Sequence, residues 1–148
     1  MTRRHYALLS LVLCVIVMGL LWLRNYQLDL GARALKEDKG LIAEEHLRPL
    51  ARLGDTTAQY LLGNIYAYGW GGVKKNDAEA IYWFKRAAMF VEDETDPAAP
   101  AELAIAKSYA EGTDGVKVDK IESIKWLRLA AMGGSKEAAS LLAKPEQH

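Results

Sequence analysis

The chain has 148 residues, with 19 basic and 19 acidic side chains and one cysteine. This length is typical of a single domain with its own core. Because Arg3, Arg4 and Arg24 all lie near the N-terminus, residues 25–148 hold 16 basic against 19 acidic side chains, which disfavours a nucleic-acid binder. A single cysteine excludes an intramolecular disulfide, and the three histidines are too widely separated to form a metal-ligand motif.

The first predicted element is an apolar helix over residues 7–23, a stretch of 17 residues without a charge. It would reach about 25 Å, enough to cross a hydrocarbon layer of roughly 30 Å when flanking side chains snorkel. Bulky residues stand where a signal peptidase needs small ones, so residues 1–24 are interpreted as an uncleaved membrane anchor, with a cleaved signal as the alternative. Arg3 and Arg4 favour a cytoplasmic N-terminus. We therefore expect a single-pass protein of a bacterial inner membrane with a periplasmic C-terminal domain, or a protein released into the periplasm.

Residues 25–39 are interpreted as a juxtamembrane linker or helix, and residues 40–148 as a repeat domain. Sliding the chain by 43 positions pairs residues 58–89 with 101–132, and 13 of 32 positions are identical. Such a match indicates two copies of one supersecondary unit, at about 55–90 and 98–133. Partial copies flank the two full copies on both sides. The stretch between the two full copies, FVEDETDPAAP, contains two prolines that disfavour a helix.

Each copy shows two amphipathic helical patterns. In the first copy Ala58, Leu62 and Ile65 share one helical face, and similar spacing recurs after the glycines. Asn76 and Asp119 each precede a glutamate by three positions, which is typical of a helix N-terminus. Strand alternation is missing, so the sequence predicts an all-α fold.

The glycine-rich stretch GWGGVKKN at residues 69–76 raises the question of a phosphate site. A P-loop needs lysine directly after its last glycine and then serine or threonine, but Val73 intervenes and Asn76 follows the lysines. Of the three glycines in this stretch, the second copy keeps two, Gly112 and Gly115, which suffices for a helix C-cap or a left-handed turn. The stretch is therefore interpreted as a corner between two helices, with its lysines in solvent.

The segment AQYLLGNIYAYGWGGVKKNDAEAIYWFKRAA resembles a Sel1-like repeat, a relative of the tetratricopeptide repeats. The resemblance covers roughly residues 40–143. It departs from the family pattern in one extra loop residue per copy and in Ala106, which replaces the Gly63 of the first copy. The resemblance implies a short right-handed α-solenoid of helix pairs that acts as a scaffold or adaptor, without cofactor, metal or catalytic residues.

In tetratricopeptide-like folds the first helix of each pair lines the concave surface. Applied to this register, the resemblance implies a partner-binding face whose residues are Thr57, Tyr60, Asn64 and Tyr68 in the first copy, and Leu103, Lys107 and Glu111, together with Pro100, in the second. Exposed tyrosines on a rigid surface are good contact residues for a protein partner. The alternative for Tyr60 is a place in the core.

Other candidate residues have simpler interpretations. Trp83 and Trp126 recur at one helical position beside alanines, so we expect them to pack between repeats. His46 lacks a spaced nucleophile or second histidine and is expected on a solvated helix face. The acidic run is expected in a hydrated loop, with contact to a basic partner as the alternative; it comprises Glu92, Asp93, Glu94 and Asp96.

Taken together, these features predict a non-catalytic protein–protein interaction module, anchored through residues 7–23, with no nucleic-acid partner and no small-molecule substrate. Some small exported proteins of the resembled family neutralise a toxin, so one hypothesis is an immunity protein against a secreted toxin or lipase. The alternative is an envelope assembly or signalling scaffold.

Overall fold

The structure, a computed structural model, describes residues 3–89, 98–112 and 115–143. These residues form seven α-helices: α1 (Arg3–Lys36), α2 (Gly40–Arg52), α3 (Thr56–Tyr68), α4 (Asp77–Ala88), α5 (Ala98–Glu111), α6 (Lys120–Met132) and α7 (Lys136–Ala143). A short 3₁₀ turn at Trp70–Gly72 follows α3. No strand occurs in the described ranges, which confirms the predicted all-α fold.

The helices stack in chain order. Each packs against its predecessor and its successor, so α1 with α2, α3 with α4, and α5 with α6 form three hairpins, and α7 follows them. This local arrangement is that of an α-solenoid, in which each unit contacts only its neighbours. The two predicted full repeats correspond to the second and third hairpins.

The first hairpin includes a helix that the repeat pattern does not reveal. α1 runs without interruption from Arg3 to Lys36, so the division expected between an anchor and a juxtamembrane linker falls inside one helix. Its C-terminal part packs on α2 through a stripe that includes Leu28, Gly31 and Ala34. Gly31 allows this approach, because a Cβ there would lie 2.6 Å from Cγ of Leu47. Residues 25–36 therefore form the part of α1 that packs on α2.

The N-terminal part of α1 extends away from the other helices. It belongs to the one helix of the described chain that is long and apolar enough to cross a membrane, by length and composition only, and its most apolar 18-residue window is 0 % buried. Trp22 and Tyr26 stack on each other with ring centroids 5.4 Å apart, close to Arg24. An exposed apolar helix beside a folded solenoid is compatible with a membrane span or with a signal sequence.

The core runs through the three hairpins. Its largest fully buried side chains are Leu47, Leu62, Ile65, Phe84 and Ile105. Alanines between them allow the helix axes to approach closely, as expected for stacked helix pairs. Trp83 is 3 % exposed and Trp126 packs against the same core, which agrees with their predicted positions between repeats.

The helix ends follow the sequence signals. The side chain of Asn76 accepts a hydrogen bond from the Glu79 amide at 3.1 Å, and that of Asp119 accepts one from the Glu122 amide at 3.0 Å. Gly69 has φ 64° and ends α3 in the left-handed region, as predicted for a corner. These caps define the ends of α3, α4 and α6.

The glycine corner packs on the start of α2. A Cβ at Gly71 would lie 1.9 Å from the Gly40 nitrogen, so the two backbones touch. The start of α2 therefore packs directly on the corner, in agreement with the interpretation of the corner as a structural turn. His46 differs from its expected place on a solvated face: it is half-buried, and its Nδ1 lies 2.8 Å from Oε1 of Gln27 on α1.

Candidate functional site

A groove of about 350 Å³ opens between α3 and α5. The residues that line each wall recur every three or four positions, because such positions share a helix face. The α3 wall carries Tyr60, Asn64 and Tyr68, and the α5 wall carries Pro100, Leu103, Lys107 and Glu111. The groove therefore runs along the first helices of two successive repeats.

Both ends of α3 are fixed, which positions its wall of the groove. At its start, Oδ1 of Asp55 accepts a hydrogen bond from the Ala58 amide at 2.8 Å. At its end, the amide of Gly69 donates to the Ile65 carbonyl. A helix held at both termini presents its side chains in a fixed register.

Aromatic rings form the apolar part of the groove. Tyr60 is half-buried and its ring lies 5.9 Å from that of Phe84, so it lines the groove and contacts the core at once. Tyr68 is 74 % exposed and meets Trp70 edge-on with centroids 6.0 Å apart. The groove thus offers one partly covered ring and one open ring, each with a hydroxyl group.

Charged groups of both signs surround the rings. Lys107 pairs with Glu137 of α7 at 2.7 Å, and Lys75 lies 3.3 Å from Oδ2 of Asp77. Asp77 is 5 % exposed, and its Oδ2 forms no hydrogen bond within the described chain. Glu111 is exposed at the far end of the α5 wall. Asp77 is therefore a buried carboxylate with Lys75 as its ion-pair partner, whereas Glu111 is open to solvent.

The structure places the sequence-predicted residues as follows. Seven of the eight residues expected on the concave face line this groove, and Thr57 is the one that does not, since it is exposed near the start of α3. The acidic run of Glu92, Asp93, Glu94 and Asp96 lies outside the described residues. The geometry brings seven side chains together, and their role in binding stays a prediction.

Sequence reasoning missed three polar residues of the groove, which are Lys75, Asp77 and Ser108. The sequence predicts for Lys75 only a position in solvent after the glycine corner. A usable signal was the difference between the copies, because the positions 43 residues after Lys75 and Asp77 are Val118 and Lys120. A polar pair present in one copy alone is not required by the repeat fold.

A second polar cluster lies outside the groove, between α2 and α3. Glu44 accepts hydrogen bonds from Tyr66 at 2.8 Å and from Nε of Arg48 at 3.1 Å, and Arg48 also donates to the Tyr66 hydroxyl. Burial, followed by the hydrogen bond to Glu44, raises the pKa of Tyr66 to about 12. These three side chains are hydrogen-bonded to one another, so the cluster joins α2 to α3.

The described residues contain no group of three or more side chains arranged to hold a metal ion. His46 contacts Gln27 rather than a nucleophile. Aromatic rings, amide groups and charges of both signs on a rigid surface are instead the features of protein-binding surfaces.

Comparison with known proteins agrees with this description. The model of the Sel1 repeat family matches residues 56–89 and 99–135. No curated protein sequence matches the chain.

Solved structures that are similar to the chain include two repeat proteins. One is a protective antigen present in uropathogenic Escherichia coli strains, which displays an SLR fold: it has 36 % identity and a TM-score of 0.66, over 78 % of this chain and 24 % of that one. The other is a Sel1 repeat protein from Oxalobacter formigenes, with 34 % identity and a TM-score of 0.58, over 69 % of this chain and 27 % of that one. This chain therefore spans about a quarter of the length of either structure.

Proposed function

The chain belongs to the Sel1 repeat proteins, with repeats at residues 56–89 and 99–135, and from that premise we propose that it is a membrane-anchored, non-catalytic module that binds a protein in the periplasm. Sel1 repeats indicate protein–protein interaction and are generally non-catalytic scaffolds. The proposal adds a location, a binding surface and a class of partner to this general role.

The observation that carries the proposal is the groove between α3 and α5. It combines the open ring of Tyr68 with the amide of Asn64 and the exposed carboxylate of Glu111. An extended polypeptide segment can lie along such a groove, because its side chains contact the rings while its backbone meets polar groups. We propose that the partner inserts a segment of this kind, with a basic or amide donor directed at Glu111.

The proposed anchor is the N-terminal part of α1, at residues 7–23. The support is its apolar composition and its full exposure beside a folded solenoid. Arg3 and Arg4 before the span favour a cytoplasmic N-terminus and a periplasmic solenoid. Cleavage of the same segment as a signal would leave the solenoid free in the periplasm.

Two finer functions fit the groove. The first is an immunity protein that covers the active surface of a secreted toxin or lipase, for which a groove between two rigid helices suits a single tight complex. The second is a scaffold that holds an envelope complex together through both the anchor and the solenoid.

Site-specific photocrosslinking in native membranes tests the binding role. A photoreactive amino acid at Tyr68, in the groove, is compared with the same amino acid at Tyr82 on α4, which is 50 % exposed and does not line the groove. We expect one crosslinked protein at position 68 and none at 82. Equal crosslinking at both positions, or none at position 68, would contradict the proposed groove.

An anchor replacement separates the two finer functions. Residues 1–24 are exchanged for a cleavable signal, while residues 25–36 are kept because they pack on α2. An immunity protein should still protect cells from its toxin after the exchange. A scaffold should lose its function, since it acts through both ends.

A further inference from the structure

The turns of the solenoid lie alternately at two edges. At one edge, the α1–α2 turn contacts the corner after α3, where a Cβ at Gly71 would lie 2.6 Å from the Asp38 carbonyl oxygen. The opposite edge, called here the lower edge, holds the α2–α3 turn and the α6–α7 turn. In the latter, Gly133 lies against Ala99 at the start of α5.

α1 leaves the solenoid at this lower edge. Arg24 of α1 contacts Asp55 of the α2–α3 turn, with Nε and Oδ2 2.5 Å apart. Arg24 directly follows the uncharged stretch of residues 7–23. If that stretch fills the hydrocarbon layer, as in the proposed function, the lower edge therefore lies at the level of the lipid headgroups.

Three large apolar side chains project at the same edge without packing against the chain. Leu53 is 85 % exposed, Met89 is 70 % exposed and Met132 is 84 % exposed. Leu53 and Met89 are the C-caps of α2 and α4, and Met132 is the last residue of α6, so each ends the second helix of a hairpin. Single exposed apolar residues are ordinary, but here Met89 and Met132 are equivalent positions of the two repeats, and Leu53 ends the second helix of the first hairpin at the same edge.

The described part of this edge carries two exposed bases, whereas the acidic run that follows Met89 in the sequence lies outside the described residues. The carboxylate of Asp55 is paired with Arg24, and Arg52 and Lys136 are exposed. Exposed bases near the headgroups are attracted to anionic lipids, and apolar side chains gain by leaving water for the interface.

We propose that the lower edge rests on the outer surface of the membrane, with Leu53, Met89 and Met132 inserted among the lipid headgroups. This inference rests on the proposed anchor and goes beyond it, because it defines the orientation of the solenoid relative to the membrane. The groove then runs from its Pro100 end near the lipid to its Glu111 end away from it. A periplasmic partner reaches Tyr68 and Glu111 first.

Fluorescence quenching on the full-length protein tests this orientation. Single cysteines are introduced as Leu53→Cys, Met89→Cys or Met132→Cys in a Cys14→Ser background, labelled with bimane and reconstituted in phosphatidylcholine–phosphatidylglycerol nanodiscs that contain a headgroup nitroxide lipid. Ile121→Cys is the matched control, since Ile121 is 71 % exposed near the start of α6, at the opposite edge. We expect the three lower-edge labels to lose most of their fluorescence and the control to keep it.

The native Cys14 reports on the anchor separately, because it lies within the apolar stretch and is exposed on α1. Labelled at Cys14 alone, the protein should be quenched by a nitroxide on the lipid acyl chains. Quenching at Cys14 with lower-edge labels as bright as the control would overturn the inference and leave the anchor intact. Absence of quenching at Cys14 would overturn the anchor and the inference with it.

Discussion

Gly63 lies directly against the ring of Phe84: a Cβ on the glycine would lie 2.4 Å from both Cδ1 and Cε1 of that ring. Phe84 is 2 % exposed, so its ring has little room to move away. The equivalent positions 43 residues later hold Ala106 and Leu127. The second repeat therefore has alanine in place of glycine and leucine in place of phenylalanine. The added methyl group and the smaller side chain offset each other, so the packed volume stays similar.

We predict that Gly63→Ala lowers the free energy of unfolding by about 1–3 kcal/mol, because overpacking outweighs the better helix propensity of alanine. Phe84→Leu should cost about 1 kcal/mol through loss of buried volume. The double variant reproduces the residue pair of the second repeat and should be more stable than Gly63→Ala alone. Denaturant unfolding of the full chain in detergent measures all three.

The informative quantity is the coupling between the two sites. Residues in contact are expected to be non-additive, whereas distant sites add. Ala138→Gly on α7, a buried position outside the cluster that contains Phe84, is combined with Gly63→Ala as the control for additivity. Strict additivity of Gly63→Ala and Phe84→Leu would show that volume compensation does not explain the difference between the repeats.

The groove stripe could be predicted because contacts in a solenoid are local and periodic. The resemblance to tetratricopeptide-like repeats implies that Tyr60 and Asn64 face the concave side, and the 43-residue shift then pairs Asn64 with Lys107 in the second copy. The second half of α1 could not be found in this way, since it lacks the tryptophan and glycine signature and is specified mainly by its fit to Leu47. Asp77 was missed because a unique polar residue carries no periodic signal.

The contact between Arg24 and Asp55 gives a second prediction. Asp55 caps α3 through Oδ1 and pairs with Arg24 through Oδ2, so its two roles can be separated. Asp55→Asn keeps a capping oxygen and loses the ion pair, and should cost less than about 1 kcal/mol. Asp55→Ala loses both, and should cost about 1–2 kcal/mol.

Arg24→Gln completes a double-mutant cycle with Asp55→Asn, measured by thermal unfolding at low and at high salt. Because the Arg24 side chain is 45 % exposed, we expect a small coupling that falls as salt rises. A coupling that is absent at low salt would mean that the ion pair does not hold the α2–α3 turn against α1.

Tyr66 gives a prediction for alkaline pH. Its pKa is raised to about 12 in the folded protein by burial and by its hydrogen bond to Glu44, against an ordinary value of 10.0. The folded protein therefore retains a proton that the unfolded chain loses, and the free energy of unfolding falls as pH rises from about 10 towards 12. Denaturant unfolding of the wild type and of Tyr66→Phe at pH 9, about 10 and about 11 follows this loss.

Tyr66→Phe should be less stable than the wild type at pH 9, because Glu44 and Arg48 lose a partner, and the difference should shrink as pH rises. Tyr82→Phe is the control, since Tyr82 is 50 % exposed on α4. An unchanged difference between pH 9 and 11 would contradict the raised pKa.

Glu102 gives a prediction that the repeat itself suggests. It is 8 % exposed on α5, and its equivalent in the first repeat is Gln59, whose Nε2 donates to the Ala51 carbonyl at 2.9 Å. Burial raises the pKa of the Glu102 carboxyl above its ordinary value of 4.5. An amide at this position would fill the same space without the cost of burying a charge.

Because the folded pKa of Glu102 is raised, the folded protein binds a proton more tightly than the unfolded chain, and the contribution of this group to stability is lost as pH rises above about 4.5. We therefore predict that Glu102→Gln raises the melting temperature at pH 7.5 by a few degrees, and that this gain disappears near pH 4. Glu111→Gln, at an exposed position of the same helix, should show neither effect. If Glu102→Gln instead destabilised the protein at pH 7.5, the carboxylate would have to be held in its charged form by a favourable partner, and the assignment of burial as the dominant influence on its pKa would be wrong.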